Sequence, residues 1–184
     1  QRCYLDDKNT KTYFENLVNS QSGVDYTRYI FFHINYLITN DEYEEVKNIT
    51  DNIDYLNSSL LISQGKKWIE DQKFEEFKKI FSCKNPTDVI SEFFFLVSNL
   101  YSSQNNYEKS NFYLNISHDL NSKFKFNLSL LAENYYFNKD YKKTLKILES
   151  FKKKDEFYYW FKIKKKAQII SKKKDKDKSL DFIN

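Results

Sequence analysis

Two histidines, two cysteines and 26 carboxylates are the side chains of this 184-residue chain that chemistry would call on, and their spacing assembles no reactive centre. His33 and His118 lie in different segments, at no metal-ligand spacing and with no paired nucleophile. Cys3 and Cys83 are far apart in sequence, show no metal-binding pattern, and are expected to be free thiols. Two glycines cannot build a phosphate-cradling loop. The carboxylates fall in mixed-charge runs such as DEYEEVK, which read as solvated helix faces. The expectation is no enzyme, no metal and no cofactor. The remaining chemistry is charge. Residues 139–184 hold 16 lysines against 7 acidic residues, while the rest of the chain is net acidic. Lys152–Lys154, Lys164–Lys166 and Lys172–Lys174 form three triplets. A basic end of this kind suits an acidic partner, an anionic membrane surface or nucleic acid. Its lack of arginine counts against phosphate recognition, where the bidentate guanidinium is preferred.

The elements that must position these groups are helices. Two Gly and one Pro in 184 residues are too few to punctuate a sandwich, barrel or hairpin-rich fold. Long helices joined by short polar turns fit this composition. Alanine is nearly absent, with only Ala132 and Ala167, so Ser, Val, Leu and aromatics must do the close packing. The abundance of Lys, Asn, Ile, Phe and Tyr matches AT-rich codons and suggests a bacterial genome of that composition. No uncharged apolar run is long enough to span a bilayer. The chain starts at Gln1, contains no Met, and reads as a fragment or a processed product. A cytoplasmic location is expected, or the bacterial periplasm if an N-terminal signal has been removed.

A repeat runs through these helices. Ala132 is followed at +3 by Tyr135, at +9 by Tyr141, at +12 by Thr144 and at +16 by Leu148, with Leu128 four places ahead. Ser98 leads in the same register to Tyr101, Tyr107, Ser110 and Leu114, with Phe94 ahead. Gly65 leads to Trp68, Phe74, Phe77 and Phe81, with Leu61 ahead. Weaker units start at Ile34, leading to Leu37, Tyr43 and Val46, and at Ala167, leading to Ile170, Ser179 and Ile183. Each unit reads as a helix, a short turn and a second helix. Residues before about Asn19 read as the second helix of an earlier unit. Such a hairpin cannot bury its apolar face alone and stacks on copies of itself.

The period and the order of small and aromatic places resemble the tetratricopeptide repeat. The resemblance covers nearly the whole chain, with units at about 1–22, 25–56, 58–85, 86–121, 124–154 and 156–184. It departs from the family pattern where Ser122 and Glu156 replace the closing proline, and where Phe77 takes a place that is usually small. Pro86 is expected to start a helix. The resemblance implies an all-α fold: an α-solenoid of stacked antiparallel hairpins in a right-handed superhelix, forming one array. It also implies an inner groove lined by first helices, which would place Phe31, Asn35, Ile62, Lys66, Phe95, Asn99, Glu133, Tyr136, Lys164 and Gln168 on that surface. Polar residues flanked by aromatics suit a peptide or partner protein. The lysine-before-asparagine clamp for a C-terminal carboxylate is absent, since Phe31 and Phe95 stand four residues before Asn35 and Asn99. The implied function is a protein-interaction scaffold. The alternatives are an RNA-binding helical repeat and the non-catalytic part of a larger enzyme or envelope-assembly protein.

Overall fold

A computed structural model describes residues 2–19, 27–55, 58–173 and 182. Among these the fold is all-α, with ten helices and no strand: α1 Thr10–Asn19, α2 Thr27–Thr39, α3 Tyr43–Asp51, α4 Leu60–Glu70, α5 Glu75–Ile80, α6 Pro86–Ser103, α7 Tyr107–Leu120, α8 Phe126–Phe137, α9 Tyr141–Leu148 and α10 Glu156–Lys173. Pro86 opens α6, where its missing N–H has no helical partner to lose. The chain divides into two compact units, Gln1–Ser91 and Glu92–Asn184. The expected places Ser179 and Ile183 lie outside the described residues.

Four turns, between α2 and α3, α4 and α5, α6 and α7, and α8 and α9, share one geometry. Asp41, Gln72, Asn105 and Lys139 each take a left-handed φ of 57° to 60°. Each stands seven places after its unit's small residue. The N–H of that residue and of the next one turn back onto the last carbonyls of the first helix. For α8 these bonds are Lys139 N–H to Tyr136 O at 3.0 Å and Asp140 N–H to Tyr135 O at 2.9 Å. The paired 5→2 and 6→1 bonds satisfy carbonyls that the helix leaves without partners. Asn106 and Asp140 then cap the second helices, accepting from the backbone of Lys109 and Lys143. The turn therefore repeats in structure although its residue type does not, and glycine fills none of the four positions.

In the first unit α2 is the centre, packing against α1, α3, α4 and α5. Phe31 and Phe77 stack with centroids 5.0 Å apart, and Trp68 meets the edge of Phe77 at 5.6 Å. Phe77 is fully buried. Phe77 stands at a place that is usually small in the repeat it resembles, and it fits because its opposite number is Gly65. A Cβ added there would lie 3.2 Å from the tip of the Phe77 ring. The smallest residue in the column thus faces the largest.

The expectation of free cysteines is corrected. Cys3 and Cys83 form a disulfide with Cα atoms 5.8 Å apart, within the ordinary range for such bonds. Residues 2–9 fold back against the segment between α5 and α6, where Lys84 also pairs with Asp6. That approach is tertiary, so a sequence separation of 80 concealed it.

In the second unit α7 packs on α8, and α8 on α9. Buried amides and hydroxyls pair with one another inside this unit. Asn134 Nδ2 donates to Ser110 Oγ at 2.7 Å and to Asn111 Oδ1 at 2.9 Å, while its Oδ1 accepts from Ser102 Oγ at 2.6 Å. Asn127 Nδ2 donates to Ser117 Oγ at 2.9 Å. Each polar group so paired avoids the cost of burial without a partner.

Candidate functional site

Of the ten residues assigned to a groove, four are spent on the interior. Phe31, Ile62 and Phe95 are buried apolar side chains. Asn35 is also buried, and its Nδ2 donates to Phe77 O at 2.9 Å and Phe81 O at 3.2 Å. That amide satisfies the carbonyls at the end of α5, a helix of six residues. These four offer no surface to a ligand, so the assignment of Phe31, Asn35, Ile62 and Phe95 to a binding face is corrected. The physical reason is that these four side chains face neighbouring helices, although Asn99 and Lys164 in the same columns are exposed.

Lys66 holds a loop. Its Nζ donates to Ile53 O at 2.7 Å and lies 5.0 Å from the Tyr55 ring. Asn99 is exposed on α6. Glu133 on α8 pairs with Lys165 on α10 at 2.7 Å. Three of the ten come together. Tyr136, Lys164 and Gln168 line a groove of about 500 Å³ in the second unit, with Trp160, Ile163, Ala167, Ser171 and Lys172.

The elements behind this groove explain its chemistry. On α10 the lysines follow the aromatic run FYYWF, and the turn of the helix points successive lysines in different directions. Lys162 and Lys166 turn to Glu149, at 2.8 and 2.7 Å, and these two cations hold the Glu149 carboxyl down to about 2. Lys165 is buried between Glu133 and the Tyr136 ring, 4.4 Å from its centroid. Burial raises the Tyr136 phenol above its ordinary value, with smaller contributions from Tyr141 and Glu133, so it is a neutral hydroxyl at physiological pH. Lys164 and Lys172 are exposed. Trp160 is 56% exposed. The Oε1 of Gln168 is buried without a hydrogen-bond partner. No carboxylate lines the groove. It therefore presents an apolar floor and two cations, with the unmet acceptor of Gln168 buried beneath the surface.

Trp160 and Lys172 are absent from the sequence-derived set because the columns considered were those next to the small places. The aromatic run FYYWF just ahead of the lysines was the signal for Trp160. Elsewhere, His33 stacks on Phe14 at 5.2 Å, and burial lowers the pKa of both His33 and His118. Among the described residues no three of His, Cys, Asp and Glu are grouped to hold a metal, and no helix is long and apolar enough to cross a membrane. No protein-family model, curated protein or solved structure matches the chain.

Proposed function

We propose that the chain is a protein-interaction scaffold built from degenerate tetratricopeptide-like hairpins stacked as a solenoid, and that it binds a peptide or partner protein. The observation that carries the reading is the groove of α8 and α10, where the apolar area of Tyr136 and Trp160 lies beside the exposed Lys164 and Lys172. The four identical turns in register with the small places support the repeat. An RNA-binding reading is weaker on physical grounds. Lys162, Lys165 and Lys166 are committed to Glu149 and Glu133, so the lysine-rich end has less free charge for phosphates than its composition suggests. The disulfide supports an oxidising compartment over the cytoplasm, because such bonds persist where thiols are not kept reduced.

The test is affinity capture with the intact oxidised chain and with a Trp160→Ala variant, each at low and high salt. The proposal expects a protein retained by the former and lost by the latter. Retention of RNA alone, released by salt and indifferent to Trp160, would overturn it.

A further inference from the structure

We infer that the exposed apolar face of α6 is the contact through which two copies of this chain associate, the two helices lying antiparallel across a two-fold axis near Leu96. The face is on a different helix from the α10 groove and does not depend on the scaffold reading.

Spacing and exposure point to one surface. Phe93, Leu96 and Leu100 fall on a single stripe of α6 and are 60%, 43% and 59% exposed. Ring contacts carry the apolar surface onto α7. Phe93 meets Phe94 edge-on at 5.6 Å, Phe94 stacks on Tyr113 at 6.0 Å, and Tyr113 meets Phe112 edge-on at 5.3 Å. Phe112 is 61% exposed. All of these residues belong to the second unit. Single exposed apolar residues are ordinary, but a connected set of this size marks a contact.

Composition sets this stretch apart. AT-rich codons raise phenylalanine and lysine alike, so abundant Phe alone carries little weight. Yet residues 85–108 contain no Lys or Arg, in a chain where 30 of 184 residues are basic. Codon bias would place lysine there, so its absence has a physical reason. Interface cores are depleted in lysine and enriched in aromatics.

Charge and area select a second copy as the occupant. A two-fold contact sets a surface against itself, so it can hold no charge that meets its own kind. The α10 groove fails this test, because Lys164 and Lys172 line it. The α6 stripe passes. Asp88 accepts from the Ser82 backbone N–H at 2.8 Å, and antiparallel packing sends the two Glu92 carboxylates to opposite ends. The same packing sets Phe93 of one copy against Leu100 of the other, since these two flank Leu96. Phe93, Leu96, Leu100 and Phe112 expose on the order of 400 Å² of apolar area per copy, at about 200 Å² for a whole aromatic side chain. A standard interface buries about 800 Å² per copy, and in homodimers about 65% of it is apolar. The four side chains supply most of that share, with half-buried Phe94 and Tyr113 beside them.

Sedimentation equilibrium of the full oxidised chain, from about 1 to 100 μM, tests this. A species of twice the 22.4 kDa chain mass is expected. Phe93→Lys/Leu100→Lys and Phe93→Glu/Leu100→Glu should each be monomeric with the circular dichroism of the parent, since both side chains are exposed. An equal mixture of the two should restore the doubled mass. The milder Phe93→Ser should weaken association about tenfold, and Trp160→Ala should leave it unchanged. A parent that stays monomeric throughout overturns the proposal. If Phe93→Ser then lowers the melting temperature, the face belongs to the chain's own packing; if it abolishes capture of a different protein, the face belongs to that protein. A dimer indifferent to both charge variants, or lost in Trp160→Ala, overturns the assignment to α6. Charge variants that remain monomeric when mixed overturn the antiparallel pairing.

Discussion

Gly65 and Phe77 form a size-matched pair, and the match can be measured. Replacing Gly65 with Ala inside α4 should gain about 1 kcal/mol from helix propensity alone. Against that gain, the new Cβ lies 3.2 Å from the ring tip of Phe77 and 3.4 Å from the ring of Phe31. Neither ring has room to retreat, because Phe31 and Phe77 are fully buried and stacked, with Trp68 against the edge of Phe77. Overpacking of this kind costs about 1–3 kcal/mol, so the net effect of Gly65→Ala is destabilisation by roughly 1 kcal/mol. In a Phe77→Leu background the ring tip is gone, and the same Gly65→Ala change should stabilise. The coupling between the two sites is then about 1–2 kcal/mol. The assay is urea unfolding followed by Trp68 fluorescence, with Trp160→Phe in every variant so that the signal reports on the first unit. At a slope of about 1 kcal/mol/M, each kcal/mol moves the midpoint by roughly 1 M. The reasoning is refuted if Gly65→Ala stabilises the parent by its full propensity gain, or if the two changes are additive within about 0.3 kcal/mol.

Three further outcomes are expected. Lys139→Gly should raise the melting temperature, since a left-handed residue with a side chain carries about 1–2 kcal/mol of strain that exceeds the roughly 0.5–1 kcal/mol entropic cost of glycine; an unchanged or lower value by calorimetry would contradict the turn geometry. Cys3→Ser should destabilise the first unit by on the order of 4 kcal/mol, because a closed loop of about 80 residues constrains the unfolded chain strongly, and denaturation with and without reductant checks it. His33 is buried against Phe14, its Nε2 has no hydrogen-bond partner, and burial lowers its pKa despite Glu15, Glu45 and Glu42 nearby, which raise it, while Lys11 adds to the lowering. The unfolded chain therefore takes up the proton first, so stability should fall as pH drops below about 6.5, and His33→Phe should flatten that slope in melts from pH 7 to 5.

Much of the fold was legible because helical spacing constrains side chains locally. The small places Ile34, Gly65, Ser98, Ala132 and Ala167 are all buried, as a repeat with close helix approach requires. The turns follow from them at a fixed offset of seven residues. The groove was less legible, and Asn35 shows why. An amide beside a small place can face solvent or cap a neighbour, and the choice depends on how short α5 is and where its last carbonyls point. The lysine triplets were opaque for a related reason. Composition counts Lys162, Lys164, Lys165 and Lys166 alike, but their directions around α10 separate three internal struts from one cation at the groove. The disulfide was hidden entirely, since no local pattern relates Cys3 to Cys83.

That disulfide has a mechanical consequence. A pull along the polypeptide from before Cys3 to beyond Cys83 passes directly from one sulfur to the other and never loads the peptide bonds between them. Helices α1 to α5 sit off the load path, covalently short-circuited, while α6 to α10 remain in series with the force. Under tension, the first unit is a shackle and the second a spring, and reducing a single bond would let the shackle pay out as extensible chain.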